Sequence, residues 1–372
     1  MPDYMCEELM INILSRLPPK SLLRFRSVSK SLRSCIDSPS FIRLRTLRSS
    51  TTKVFIRHMC NQGLDVDFYT LHTKGELPLC PQTGYNDTKP IKYNFSSSVI
   101  VGSCNGIFCL ADDEKDIYLW NPSIRRAVKV HDLTSWSLNE LYGFGFDPIV
   151  DDYKILKISY SLSGQWTSSV YAVKTGIWSE ISSTPTTTSF STEVSRSCFL
   201  NGALHWLVKR IIRYDHMSMT YLNILTFDLS THVFGEIELP KRNWESGHLI
   251  IIEGCLAASS SRDGKCLIWI MREYNWSVFF VFGLNVIGRD LQVLPFSTND
   301  KDLMITTLRD KITVYNLDTR VQQRVAAFSA SSTIINAEVF AESLELLNWR
   351  NTYKENELSF IGRRRSGIRS NK

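Results

Sequence analysis

A chain of 372 residues that is 43% hydrophobic and 11% aromatic can bury one large core or two ordinary ones, and its composition excludes a disordered protein. Its net charge of +6 is unevenly spread. Residues 16–57 hold eleven Lys/Arg against Asp37 alone and residues 362–372 add five more, which leaves about −9 for the rest.

The opening "MPDYMCEELMINILS" has acids where a secretory signal needs a basic start, and the longest apolar run, Val278 to Ile287, falls short of a bilayer span. No membrane association is expected. Nine cysteines without a C-x-x-C pair point to reduced thiols in the cytosol or nucleus. The sequons at Asn86, Asn94 and Asn275 are then chance matches.

Leu9, Ile13 and Leu17 recur at helical spacing, and so do Leu22, Phe25, Val28, Leu32 and Ile36, which read as one stripe. Pro18-Pro19 separates the two segments and Asp37-Ser38-Pro39 closes the run. The expectation is three short helices, too few to bury their own apolar surface, so the bundle should dock on something.

The stretch from Glu7 to Arg45 resembles an F-box, the helical module that binds the Skp-type adaptor of SCF ubiquitin ligases. The matching residues are Glu8, Leu9, Ile13, Leu14, Arg16, Leu17, Pro18, Lys20, Ser21, Leu22, Arg24, Phe25, Val28, Lys30, Ser31, Ile36 and Phe41. By that resemblance Leu17, Pro18, Leu22, Leu23, Phe25, Val28 and Leu32 dock on the adaptor. Met5-Cys6 stands where the family has Leu-Pro, and Ser29 and Leu32 stand where it has Cys and Trp. A lost buried Trp removes about 1.5–3 kcal/mol of burial, so weaker adaptor binding is expected, not its loss.

From residue 52 the pattern is all-β, with short strands between turn residues. Five segments read as strand, tight turn, strand. Their anchor aromatics Trp120, Tyr171, Phe227, Trp269 and Tyr315 recur at 42- to 56-residue spacing, as in propeller blades of the kelch kind. Tyr171/Trp178, Phe227/Phe234 and Trp269/Trp276 read as blade-core pairs. The kelch glycine doublet is missing, and an open, sandwich-like arrangement also fits.

"GSCNGIFCL" (102–110), "LWNPSIRR" (119–126) and "GFGFDPIVDDYKIL" (143–156) resemble the F-box-associated domain of plant F-box proteins, the S-locus F-box proteins of pear and apple among them. The fold expected is α+β and multidomain: a three-helix F-box (1–45), a degenerate kelch-like β-propeller (52–350) and a C-terminal segment with a basic tail (351–372). Gly143 and Gly145 are read as allowing close backbone approach, with Asp147-Pro148 starting a turn. This is a fold signature and not an active site.

Catalytic motifs are missing. The Gly143-x-Gly145 pair lacks the third glycine and the helix of a dinucleotide site. No G-x-S-x-G elbow, Walker loop, H-E-x-x-H pair or zinc-spaced Cys/His cluster occurs. The seven histidines are scattered, and His205 beside Trp206 reads as a half-buried propeller residue. No catalytic residue, cofactor or metal is expected. Residues 61–90, 182–193 and 209–220 read as the long loops, where recognition usually sits.

The resemblance implies a substrate receptor that binds a Skp-type adaptor, through it a cullin, and a target protein. The target implied by the S-locus likeness is a pistil S-ribonuclease; an immune or other regulatory protein is the alternative. A scaffold with a degenerate F-box, and a nucleic-acid-associated protein using the basic front and tail, are rivals from other classes. The second lacks any accompanying signature, and no nucleic-acid partner is expected.

Overall fold

Glu7 and Glu8 open the first helix, where negative charge suits the helix dipole. In the computed structural model, α1 (Glu7–Ser15) ends before Pro18 and α2 (Pro19–Phe25) starts with Pro19, whose fixed φ suits a first helical position. Ser29 caps α3 (Lys30–Ile36), its hydroxyl accepting the Leu32 N–H at 3.0 Å. A fourth helix, α4 (Pro39–Arg48), corrects the three-helix expectation. Asp37-Ser38-Pro39 ends one helix and begins another: Ser38 Oγ accepts the Phe41 N–H at 3.2 Å, and Pro39 takes the first turn. The single stripe expected from Leu22 to Ile36 is also broken, because a turn at 26–28 separates α2 from α3.

The residues described are 6–48, 52–60, 67–73, 91–93, 99–111, 116–130, 139–160, 165–185, 190–191, 196–214, 217–240, 244, 247–262, 265–283, 291–295, 302–307, 311–320, 322–327, 332–349 and 352–354. The basic tail, residues 74–90 and most of 186–195 lie outside them.

Beyond the helices, the described residues form six antiparallel sheets of four or five strands. Blade 1 orders as Ser332–Ala341, Thr52–Cys60, Asp67–Thr73 and Ile91–Tyr93. Blade 2 runs from Val99–Cys104 through Ile107–Ala111 and Ile117–Asn121 to Arg126–Val130, with Thr352–Lys354 added outside. Blade 3 spans Asn139–Asp147 to Ile177–Ile181, blade 4 Cys198–Leu200 to Phe234–Ile237, blade 5 His248–Ile252 to Asn275–Gly283, and blade 6 Leu291–Pro295 to Gln322–Ala327. The inner strands of blades 2 to 6 pack in succession, and blade 6 packs on Ser332–Ala341 of blade 1. Phe55 and Phe340 of blade 1 share a core with Phe108 and Trp120 of blade 2, which closes the ring. The described residues thus form a closed ring of six blades, closed where the late strand Ser332–Ala341 pairs with Thr52–Cys60 in blade 1.

The five anchor aromatics all sit on the third strand of their blades. Trp120 and Phe227 are fully buried. Tyr171 stands directly opposite Trp178, and Phe227 opposite Phe234. In blade 5 the two-residue turn between Arg272 and Asn275 sets a different register, so that Trp269 faces Val278 and Trp276 faces Met271. Residues 209–220, read as a loop, are instead the outer part of a hairpin between Ala203–Tyr214 and Met217–Asp228, paired along its whole length.

Candidate functional sites: the helical module, its seam and the propeller rims

Leu14, Leu22, Ile36, Phe41 and Ile42 of the helices share one core with Ile107, Leu119, Phe144 and Ile155 of blades 2 and 3. The bundle therefore docks on the chain's own propeller, and the segment Ser343–Trp349 fills the seam. Leu344, Leu346 and Leu347 are buried there. Asn121 Nδ2 donates to Ser343 O (3.3 Å), Ser343 Oγ (3.0 Å) and Glu345 O (2.8 Å), while Arg126 donates to Leu347 O at 2.9 Å. On the helical side, Thr46 Oγ1 donates to Glu345 Oε1 at 3.1 Å and Asn348 donates to Asp37 O. Burial pushes the Glu345 carboxyl up, against that hydrogen bond from Thr46. The Asn-Pro-Ser motif thus ties the seam segment at Ser343 and Glu345 to blade 2, a role its position in a strand does not reveal.

With one side committed to the propeller, the module keeps other apolar side chains in water. Leu9 (51% exposed), Ile13 (46%), Phe25 (41%), Val28 (73%) and Leu47 (79%) are exposed. Of the thirteen large exposed hydrophobics among the described residues, four thus fall within these short helices and a fifth, Val28, in the turn between α2 and α3. Of the residues expected to meet the adaptor, Phe25, Val28 and Pro18 are exposed; Leu17, Leu23 and Leu32 are half-buried; Leu22 is fully buried against the propeller-facing core. Leu9 and Ile13 join the exposed set. Their α1 periodicity marked a face, but periodicity does not say what lies against it.

The Gly143–Leu156 motif joins blades 3 and 4. A Cβ on Gly143 would lie 2.3 Å from Trp206 Cζ2, and one on Gly145 2.4 Å from Phe199 Cδ2. The glycines therefore admit side chains of the next blade and not a second backbone, which corrects the expectation. Lys154 Nζ donates to Asp147 Oδ2 at 2.6 Å and to Leu229 O at 2.8 Å; Ser230 Oγ donates to Asp147 Oδ1 at 2.6 Å. Burial alone would raise the Asp147 carboxyl, but the hydrogen bonds from Lys154, Ser230 and the Ile149 N–H outweigh it and hold the acid below its ordinary range. Its partners are all structural, so the motif is a staple between blades.

Segment 196–200 contacts the inner strands of blades 2, 3 and 5. Ser197 donates through both N and Oγ to Val101 O, and Arg196 reaches Asn336 and Glu338 of blade 1. His205 is 7% exposed with Nδ1 3.2 Å from Cys198 O, and burial lowers its pKa. Burial pushes the Cys198 and Cys266 thiols up to about 12, which suppresses thiolate chemistry. Among the described residues no group of His, Cys, Asp and Glu is placed to hold a metal ion, and no helix is long and apolar enough to cross a membrane.

The two rims of the propeller differ. Turns between first and second strands and between third and fourth strands share one rim, which the helices approach: Arg43 pairs with Asp151 at 2.8 Å, and Trp349 packs on Tyr153. Second-to-third connections lie on the other rim, where the blade 4 hairpin extends.

Comparison with known proteins agrees with this architecture. An F-box domain is matched over residues 3–44 and an F-box associated beta propeller domain over residues 64–346. The chain is 25% identical to F-box/kelch-repeat protein At3g23880 of Arabidopsis thaliana, over 85% of this chain and 88% of that protein. It is 30% identical to putative F-box protein At3g16210 of the same plant, over 65% of this chain and 62% of the other. F-box protein CPR1, also from Arabidopsis thaliana, is 21% identical over 91% and 88% respectively. A helical module seated on a closed propeller, with both parts matched in order, makes the chain a member of the plant F-box proteins that carry an F-box-associated β-propeller domain.

Proposed function

We propose that this chain is a substrate-recognition subunit of an SCF-type ubiquitin ligase. The carrying observation is the division of the helical module: one side is sunk in the propeller, and Leu9, Ile13, Pro18, Phe25 and Val28 stand in water. Exposed apolar side chains clustered in a short module favour a protein partner. The family's adaptor supplies one. Phe25, Val28 and Pro18 make the direct contact with Leu9 and Ile13; Leu17, Leu23 and Leu32 shape its edge; Leu22 holds the module on the propeller beneath it. The propeller contributes no catalytic side chain. It holds a target near the ubiquitin-charged enzyme, so that transfer becomes effectively intramolecular.

A cytosolic or nuclear location suits nine cysteines without a C-x-x-C pair, which such compartments keep reduced. For the target, a pistil S-ribonuclease is favoured by the S-locus likeness and by the charge of about −9 outside the basic front and tail, which suits a basic protein. An immune or other regulatory protein is the alternative.

Co-purification of the full chain with a Skp-type adaptor and cullin tests the reading. Recovery of both by the wild type and of neither by a Phe25→Ala/Val28→Asp variant supports it. A folded wild type that recovers neither partner makes the chain a non-ubiquitin scaffold.

A further inference from the structure

The basic front of the chain holds eleven Lys/Arg between residues 16 and 57, and most of them are engaged within the fold. Arg26 and Arg33 share Asp37, Arg43 pairs with Asp151, and Lys53 pairs with Glu342. Arg45 and Arg57 are buried. Arg16 and Arg48 both donate to Asn12 Oδ1 at 3.3 Å. Lys20, Arg24 and Lys30 remain, exposed and without a side-chain partner among the described residues.

These three border the apolar side chains that α2 and the turn after it keep in water. Lys20 follows Pro18-Pro19. Arg24 lies one helical turn further on and precedes Phe25, and Lys30 follows Val28-Ser29. No acidic residue occurs between Leu9 and Ile36, so no neighbour in sequence offsets their charge. Two of them also stand where a helix least favours a cation. Lys20 and Lys30 fall in the first turns of α2 and α3, neither of which holds an acid, and the helix dipole disfavours positive charge at that end. Local stability does not account for these residues; a partner does.

We infer that this side of the helical module receives an acid-bearing protein surface, with Lys20, Arg24 and Lys30 steering its approach and Phe25, Val28 and Pro18 holding it once docked. The inference rests on the receptor reading and adds the charge of the adaptor's contact face. Exposed rim charges act mainly on the rate of encounter, whereas desolvated apolar contacts act on the rate of escape. Three cations around an apolar centre suit a protein better than a nucleic acid, whose phosphates would take the cations and leave Phe25 and Val28 in water.

The test measures association and dissociation rates of a purified Skp-type adaptor on the full chain, at about 50 and about 500 mM salt. Association is expected to fall about tenfold or more over that range, with dissociation changing less than about twofold. Lys20→Glu/Lys30→Glu should slow association about tenfold at the lower salt, whereas Lys20→Arg/Lys30→Arg should keep the wild-type rate. The charge-reversed variant should melt no lower than the wild type, because glutamate suits both first turns; slower binding is then not unfolding. Val28→Ala should do the converse, speeding dissociation and leaving association unchanged. Association that is indifferent to salt and to charge reversal, in a chain that binds the adaptor, overturns the inference and leaves the receptor reading standing. A folded wild type that does not bind the adaptor overturns both. The inference also falls if a mixed-sequence DNA duplex binds the full chain and loses affinity in Lys20→Glu/Lys30→Glu while the adaptor rates stay unchanged, since the cations then serve a nucleic acid.

Discussion

Asp147 and Lys154 meet at 2.6 Å with both side chains buried, and Lys154 also reaches Leu229 O in the next blade. A buried pair of this kind holds two blades in register, but loss of either partner strands a charge. Asp147→Ala is expected to destabilise the chain by about 3–5 kcal/mol. Replacing both residues by apolar side chains of similar size should cost less than either single change. Chemical denaturation of the three variants checks the ordering.

The same cluster makes stability depend on pH. His232 Nε2 lies 3.3 Å from Lys154 Nζ, and burial, followed by the Lys154 charge, lowers its pKa below 6.5. Burial does the same to His205. A depressed histidine contributes fully above 6.5, and its contribution falls as pH drops from 6.5 toward the folded-state value, because the unfolded chain binds the proton first. Asp147, also depressed, adds its own loss at lower pH, beginning near its unfolded value of 3.8 and continuing through its folded value. Melting temperature should decline below pH 6.5, and His232→Gln should flatten the first part of that decline.

Gly143 faces Trp206, whose ring sits where a Cβ would be. Trp206 is fully buried and donates from Nε1 to Tyr142 O at 2.9 Å, so it has little freedom to yield. Gly143→Ala is expected to cost about 1–3 kcal/mol through overpacking. Gly254, which has nothing near its Cβ position, provides the contrast: its φ of +70° leaves only backbone strain, about 1–2 kcal/mol. Paired denaturation curves separate the two effects.

The seam between the modules is held by buried contacts more than by surface charge. Asn121→Ala removes three hydrogen bonds to Ser343 and Glu345 and should cost about 2–3 kcal/mol. The Arg43–Asp151 pair is more than half exposed on both sides, and Arg43→Ala should cost under about 1 kcal/mol. Thermal melts of both variants test this ranking.

Blades 2 to 6 were legible because each carries an aromatic on its third strand, and burial of Trp120 and Phe227 enforces that repetition; blade 1 was not, since its strand Asp67–Thr73 falls in the stretch 61–90 read as a loop. The fourth helix was not, because Ser38-Pro39 reads equally as a stop and as a start. Leu22 and Val28 belong to one apparent stripe, yet one is buried and the other 73% exposed. Helical spacing cannot report the turn between α2 and α3, nor the propeller on which α2 rests. The blade 4 hairpin was missed for a related reason. The stretch "KRIIRYDHMSMTY" (209–221) does not alternate apolar with polar residues, so its sequence carries no strand signature.

The division of the helical module is tested most directly by calorimetric titration of a Skp-type adaptor into three full-length forms: wild type, Val28→Asp and Leu22→Ala. Val28→Asp should fold with wild-type stability and lose adaptor affinity by about tenfold or more. Leu22→Ala should lose about 2–5 kcal/mol of stability and, while folded, bind as the wild type does. Unchanged affinity in Val28→Asp, or a loss of affinity confined to folded Leu22→Ala, would contradict the account.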